Sequence, residues 1–388
     1  MTSTQPQPPR VQPLQLVDLF AGPGGLDVAA RWLGLGVHGI EWDGNACATR
    51  TQAGLGTLHD DVREHGPKRY PDASVLTGGP PCQTFTVAGG GAGRRALDTV
   101  LGFVKDMAAG IDVTESVKVL EDERTGLVLE PLRWALEAAS DDKPYQAIVL
   151  EQVPAVLPVW KAMEEVLAGI GYKTVSGILH TEDFGVPQTR RRAVLIAHRD
   201  HQPQLPKPTH RRYRKGVARS DGDQSLLPWV TMGSALSRSG SFEVVSNYGT
   251  GGDPKARGRR SSDEPSATVT GKISRNRLYA PGDESHELPR FETSEAGLLQ
   301  TFPRDYPWSG KDVSQQIGNA IPPRLAAHVL AAALGWELQE NSLDTAVRGS
   351  WASTEEGTPL LLVRPIGSES DVAFRAPTPA PDADGPEN

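Results

Sequence analysis

The chain has 388 residues, enough for a catalytic domain and a smaller companion, and a formal net charge of −8. Its 2 cysteines exclude a disulfide framework, and no apolar run approaches the roughly 18 residues needed to cross a bilayer, so a soluble cytoplasmic protein is expected. The acidic total hides a segregation: residues 190–277 hold 18 Lys or Arg against 7 Asp or Glu, a block of +11 beside a remainder of −19, which suits a protein that meets phosphates on one face.

Residues 1–13 form a polar, Pro-rich lead-in that reads as disordered. From there to Arg199, short apolar runs alternate with amphipathic stretches, the pattern of an α/β fold with a mostly parallel sheet and helices on both faces. Strands are expected at 14–19, 37–41, 74–77, 146–150, 173–179 and 193–197, and helices at 25–33, 44–53, 125–139 and 156–170. Cys47, on the second helix, reads as inert packing.

The first strand runs into Asp18-Leu19-Phe20-Ala21-Gly22-Pro23-Gly24-Gly25-Leu26. Glycines at such a turn let a ligand approach the backbone, and the helix that follows offers free N–H groups. The next strand ends at Glu41-Trp42, where a carboxylate suits ribose hydroxyls, and Asp61-Val62 ends a third segment beside an adenine amino group. Pro23 in mid-turn and the missing third glycine depart from the dinucleotide fingerprint, favouring an adenosine cofactor without phosphates: S-adenosylmethionine, leaving as S-adenosylhomocysteine.

The run 74–77 exits through Gly78-Gly79-Pro80-Pro81-Cys82-Gln83, a stiff turn that presents a thiol at a strand end, as a nucleophile requires. Gly89 to Gly93 and Arg94-Arg95 read as a flexible, basic segment directly after the thiol, with Gln83, Arg94 and Arg95 suited to phosphate contacts. The stretch 95–121 looks inserted. Strand ends also carry Glu151-Gln152-Val153 and Gln188-Thr189-Arg190-Arg191-Arg192.

Between 201 and 265 the composition turns to Pro, Arg, Ser and Gly, a small, loop-rich, basic region. Its clusters Arg211, Arg212, Arg214, Lys215 and Arg257, Arg259, Arg260 suit phosphates or guanine edges. Helical patterns return at 293–300 and 322–334, completing the catalytic domain over 266–340. Between them lies Gln315-Gln316-Ile317-Gly318-Asn319-Ala320-Ile321-Pro322-Pro323. The low-complexity remainder, 341–388, reads as mostly disordered, with one strand allowed at 358–363.

Taken in order, DLFAGPGG, Glu41-Trp42, Asp61-Val62, GGPPCQTF, Glu151-Gln152-Val153, QTRRR, EAGLLQTFP and QIGNAIPP resemble the cytosine-5 DNA methyltransferase family over about residues 14–328. The resemblance implies a Rossmann-like S-adenosylmethionine-dependent sheet with a target-recognition domain. It implies methyl transfer to carbon 5 of a cytosine flipped from duplex DNA, without a metal. In that reading Cys82 adds to carbon 6, Glu151 hydrogen-bonds the ring edge, and Arg192, with Arg190 close by, holds the O2 side. Asp18, Phe20, Ala21, Gly22, Gly24, Gly25, Leu26, Glu41, Trp42, Asp61, Val62, Pro80, Asn319 and Ala320 surround the cofactor. The implied partners are double-stranded DNA and a cognate restriction endonuclease, with the enzyme a monomer. Glu-Gln-Val departs from the family's Glu-Asn-Val, which puts the pinning of the neighbouring loop in question. Two alternatives stay open: a tRNA cytosine-5 methyltransferase, disfavoured by the lack of a Cys-Phe-Thr segment, and a non-catalytic DNA-binding relative.

Overall fold

The computed structural model describes residues 14–81, 85, 95–246 and 257–366. Strands β1 (Gln15–Leu19), β2 (Gly36–Glu41), β3 (Gly56–His59), β4 (Ala73–Gly78), β5 (Ala147–Gln152), β6 (Lys173–His180) and β7 (Arg191–His198) form one sheet in the order β3-β2-β1-β4-β5-β7-β6. The pairings β1–β2, β2–β3, β1–β4 and β4–β5 are parallel, whereas β7 is antiparallel to both β5 and β6. β6 therefore runs with β5, and the carboxyl ends of β1, β2, β4, β5 and β6 share one edge. The order reverses between β1 and β4, the crevice where open α/β sheets bind ligands.

Alternation along each strand builds two cores. Leu16, Val75, Val149 and Ile196 face helices Gly25–Trp32 and Pro323–Ala333. Val17, Leu76, Ile148 and Leu195 face helices Leu97–Ala108, Glu130–Ser140 and Leu157–Gly169. The sequence reading missed β3, whose Gly-Thr-Leu-His has one large apolar side chain. Within 95–121, the stretch that reads as inserted, helix Leu97–Ala108 buries Val100, Phe103 and Val104 in the second core.

Two boundaries are corrected. The small region is built on a four-stranded sheet, β8 (Glu243–Val245), β9 (Arg259–Ser261), β10 (Arg277–Ala280) and β11 (Asp283–Leu288), in the order β11-β10-β8-β9. It extends past residue 265, because β10 supplies the central pairing partner of β8. The tail is ordered as far as 366. Helix Glu340–Arg348 buries Leu343 and Ala346, Trp351 Nε1 donates to the Ala53 carbonyl at 3.1 Å, and β13 (Val363–Pro365) pairs with β12 (Trp336–Leu338). The strand allowed at 358–363 thus begins where that range ends. A few apolar side chains (Leu343, Trp351, Leu361) suffice because they join a core already formed. Residues 1–13 and 367–388 lie outside the described residues. No described helix is long and apolar enough to cross a membrane.

Candidate active site

At the shared carboxyl edge, the turns after β1, β2, β4 and β5 enclose a cavity of about 490 Å³. Phe20 leaves β1 with φ of 61° and Gly22 follows with φ of 53°. The left-handed region is strained for an aromatic residue and marks a backbone held for a purpose. The helix starting at Gly25 has no side-chain cap, and among the described residues none accepts from its first N–H groups, which leaves them for a ligand. Glu41 ties two turns together: its carboxylate accepts from Gly22 N at 2.7 Å and from Asp43 N at 2.6 Å. Burial raises the Glu41 pKa against those two hydrogen bonds. Asp18 lies beneath, accepting from Thr77 Oγ1 at 2.6 Å; burial and then the charge of Asp27 hold its pKa well above the usual range. Asp27 in turn forms a fully buried ion pair with Arg50 at 2.8 Å, locking the first helix to the second.

The opposite wall comes from β4, β5 and β7. Gly79 N donates to Leu19 O at 3.2 Å, which aligns the Gly-Gly-Pro-Pro exit with the β1 turn. The Gln152 side-chain amide donates to the Pro80 carbonyl and accepts from Val153 N. The longer amide of Glu-Gln-Val thus still pins the exit. Glu151 faces the cavity only 6% exposed, with Arg192 Nε 2.5 Å from its Oε1. Burial pushes the Glu151 pKa up, and the guanidinium opposes that shift. Cys82, the expected nucleophile, follows the cavity-lining Pro81 directly but lies outside the described residues, as do Gln83 and Arg94.

Of the anticipated cofactor residues, Asp18, Phe20, Ala21, Gly22, Gly25, Leu26, Glu41, Trp42, Asp61, Val62, Pro80, Asn319 and Ala320 all line the cavity. Trp42 does so with its indole 70% exposed, available to stack. Gly24 does not: a Cβ there would stand 2.6 Å from Leu55 Cδ1 and 2.9 Å from the Tyr306 hydroxyl, so it is glycine for packing. Arg190 is also corrected. Its guanidinium, 2% exposed, donates to the carbonyls of Val269 and Gly318, each at 2.9 Å, and does not reach the cavity. The sequence reading missed Arg63, Glu123, Arg124, Leu127 and Gln316 in the lining. A signal was present for two of them: Asp61-Val62-Arg63 and Asp122-Glu123-Arg124 are the same device, an Asp capping a short turn and clasping the Arg two residues on.

The lining carries seven carboxylates (Asp18, Glu41, Asp43, Asp60, Asp61, Glu123, Glu151) against three guanidiniums (Arg63, Arg124, Arg192). Acceptor-rich walls, two aromatic rings and free helix N–H groups fit a cationic adenosine compound with an amino-acid tail better than a polyphosphate. Among the described residues no group of His, Cys, Asp and Glu could hold a metal ion. Cys47 is buried, donates to Glu41 O, and is pushed up to about 11 by burial, consistent with packing.

The expected DNA contacts divide. Arg214 and Lys215 are exposed. Arg211 is 9% exposed and donates to the carbonyls of Asp223 and Arg219 at 3.4 and 3.1 Å, organising its own loop from within. Arg212 clasps the buried Asp183. Arg260 lies 4.3 Å over the Tyr213 ring, and Arg259 pairs with Glu284. Arg95 is engaged by Glu121 at 2.8 Å, while Arg257 is half-buried. Arg211 and Arg260 therefore serve first as internal supports, whereas Arg212 and Arg259 hold their carboxylate partners from the surface.

A family model for C-5 cytosine-specific DNA methylases matches residues 14–104 and 116–334; the unmatched 105–115 lie within the stretch read as inserted. The type II methyltransferase M1.HphI of Haemophilus parahaemolyticus is 28% identical over 84% of this chain and 88% of its own length. M.HindV of Haemophilus influenzae is 26% identical over 84% and 97%. In fold the chain resembles the S. pombe Dnmt2 methyltransferase (TM-score 0.57, 18% identity, covering 83% of this chain and 98% of the other). It also resembles the Entamoeba histolytica methyltransferase EhMeth (TM-score 0.52, 13% identity, 83% and 98%). Because the family model spans every strand whose end reaches the cavity, the chain belongs to the C-5 cytosine-specific DNA methylase family and is a DNA (cytosine-5) methyltransferase.

Proposed function

We propose that the enzyme methylates carbon 5 of a cytosine flipped out of duplex DNA, using S-adenosylmethionine and a transient covalent bond from Cys82. The observation that carries this reading is the Glu151–Arg192 pair, buried in the wall that ends at Pro80-Pro81, one residue before Cys82. When bound, S-adenosylmethionine supplies an electrophilic methyl group. Phe20, Trp42 and Glu41 would hold its adenosine, and the N–H groups at Gly25–Leu26 with Asn319-Ala320 its amino-acid end.

Carbon 5 of cytosine is a weak nucleophile. The Cys82 thiolate adds to carbon 6, breaking the aromatic ring and raising electron density at carbon 5. Glu151, its pKa raised by burial, donates to the N3 edge and relieves the charge that builds there. Arg192 holds the O2 side with its planar fork. Carbon 5 would then take the methyl group, S-adenosylhomocysteine leaving as a neutral thioether; a base acting through water removes the carbon-5 proton, the carbon–sulfur bond breaks to return the thiolate, and the N3 proton goes back to Glu151. Extrusion of the base costs a few kcal/mol, offset by contacts in the pocket and along the backbone. The exposed Arg214 and Lys215 and the half-buried Arg257 serve the phosphates. The type II methyltransferase relatives support a restriction–modification setting; a cognate endonuclease and a monomeric enzyme complete this proposal.

Incubation with methyl-labelled S-adenosylmethionine and duplex DNA, followed by nucleoside analysis, should yield 5-methylcytosine. Bisulfite sequencing would then give the target site. Label entering tRNA and not DNA would overturn the reading.

A further inference from the structure

Arg190 and its neighbours form a buried polar joint between the two domains, away from the reacting groups. Each of its two donors holds a different chain segment. Nη1 donates to Val269 O and Nη2 to Gly318 O, both at 2.9 Å. Val269 lies between β9 and β10 of the small domain, and its side chain is buried with Met232, Phe242 and Leu278 in a core that also takes in Leu299 and Ile317. Gly318 precedes Asn319 and Ala320, which line the cofactor cavity.

A pair of buried amides repeats the link. Gln188 Oε1 accepts from Val269 N at 2.9 Å, and Gln188 Nε2 donates to Gln300 Oε1 at 2.5 Å. Gln300 Nε2 passes the connection to Ile317 O at 2.6 Å and Ala320 O at 3.2 Å. Where the segments cross, their backbones touch: a Cβ on Gly318 would stand 2.3 Å from Gly271 N and 2.5 Å from the Thr270 carbonyl carbon. Both polar groups of Val269 are thus bonded to side chains at the start of β7, and the cofactor turn rests on the residues that follow. Movement of the small domain that shifts Val269 must break its bonds to Arg190 and Gln188, the side chains that also hold Gly318 directly and Ala320 through Gln300. The alternative is to carry the cofactor wall along.

We propose that Arg190 is a positioning residue that couples DNA engagement by the small domain to cofactor binding, through the joint of Val269–Gly271 with Gly318–Ala320. The inference rests on the functional reading above. Coupling of this kind is reciprocal and is measured as a ratio of affinities.

The test is calorimetry of S-adenosylhomocysteine binding, with and without a duplex carrying the site that the wild-type enzyme methylates. In the wild type the duplex should tighten binding by about fivefold or more. Arg190→Lys keeps the charge but cannot span both carbonyls, and the ratio should fall towards one. Gly318→Ala, which forces the backbones apart without removing a polar group, should do the same and serves if the lysine variant does not fold. A merely structural role would weaken both affinities and leave the ratio unchanged. A wild-type ratio of one, or a wild-type ratio kept by folded Arg190→Lys or Gly318→Ala, would overturn the proposal. A wild type that methylates no duplex would remove the functional reading, and this inference with it.

Discussion

Arg192 Nε stands 2.5 Å from Glu151 Oε1, the two side chains meeting from antiparallel neighbours β5 and β7 at the edge where the cavity opens. The strands set this meeting: Glu151 pairs with Val194 and Gln152 with Ala193, so Glu151 and Arg192 are diagonal neighbours on one face of the sheet. The cation tempers the rise in pKa that burial imposes on Glu151. Glu151→Gln keeps the shape but cannot give a proton. Methyl transfer should fall about 10²- to 10⁴-fold, the usual contribution of a positioned acid. The Kd for S-adenosylhomocysteine should stay within a fewfold. An enzyme with near wild-type turnover would remove Glu151 from the chemistry.

Cys82→Ser should lose methyl transfer while duplex binding survives, since serine at neutral pH is a far poorer nucleophile than a thiolate. A duplex with fluorine at carbon 5 of the target cytosine sharpens the test, because no proton is left there to remove and the carbon–sulfur bond should persist. Mass spectrometry should find one wild-type chain bonded to one duplex, and none for the serine variant. Turnover by Cys82→Ser within about tenfold of wild type would sink the covalent step.

Most of the site was readable because its chemistry is local. Asp18 to Leu26, Glu41-Trp42 and Asp61-Val62 follow short strands, and a strand end in an α/β sheet is where ligands gather. What composition does not reveal is the direction of a guanidinium. Arg190 and Arg192 stand two residues apart where β7 begins, yet one clamps carbonyls 79 and 128 positions away and the other meets Glu151. Arg211 looked like a phosphate contact for the same reason and proved to be the interior of its own loop. The tail was misjudged because Leu343, Trp351 and Leu361 are sparse among polar residues. Order there comes from the surface that receives them.

Glu182, at the carboxyl end of β6, gives a pH-dependent prediction about stability. Burial pushes its pKa up to about 7, although Arg212 and Arg260 oppose the shift and Asp183 adds to it. In the unfolded chain it titrates near the ordinary value of about 4.3. The folded state thus binds a proton that the unfolded state releases, so this contribution is complete below the unfolded pKa and is lost as pH rises through 7. Glu182→Gln removes the titration. Relative to wild type, the variant should gain Tm from pH 5 to pH 8, by the equivalent of about 2–3 kcal/mol. Parallel Tm curves for the two proteins across that range would show that Glu182 ionises freely.

The last prediction separates the arginines that meet DNA from those that hold the small domain together. Binding to phosphates releases counterions, so the logarithm of affinity falls linearly with the logarithm of salt, by about 0.9 per contact on duplex DNA. Arg214 and Lys215 are exposed and make no ion pair among the described residues. Replacing both by Ala should flatten the slope by roughly two units and leave Tm within a degree or two. Arg211→Ala should act differently. It strands the carbonyls of Asp223 and Arg219 and empties the centre of the loop that carries Arg214 and Lys215. The cost is stability, about 1–3 kcal/mol, with weaker DNA binding as a consequence of the loosened loop. Arg211→Lys, which can still donate to one carbonyl, should recover part of that Tm, whereas a lost phosphate contact would show no such link to Tm. An unchanged salt slope in Arg214→Ala/Lys215→Ala would make this loop a solvated face and move the phosphate contacts elsewhere on the small domain.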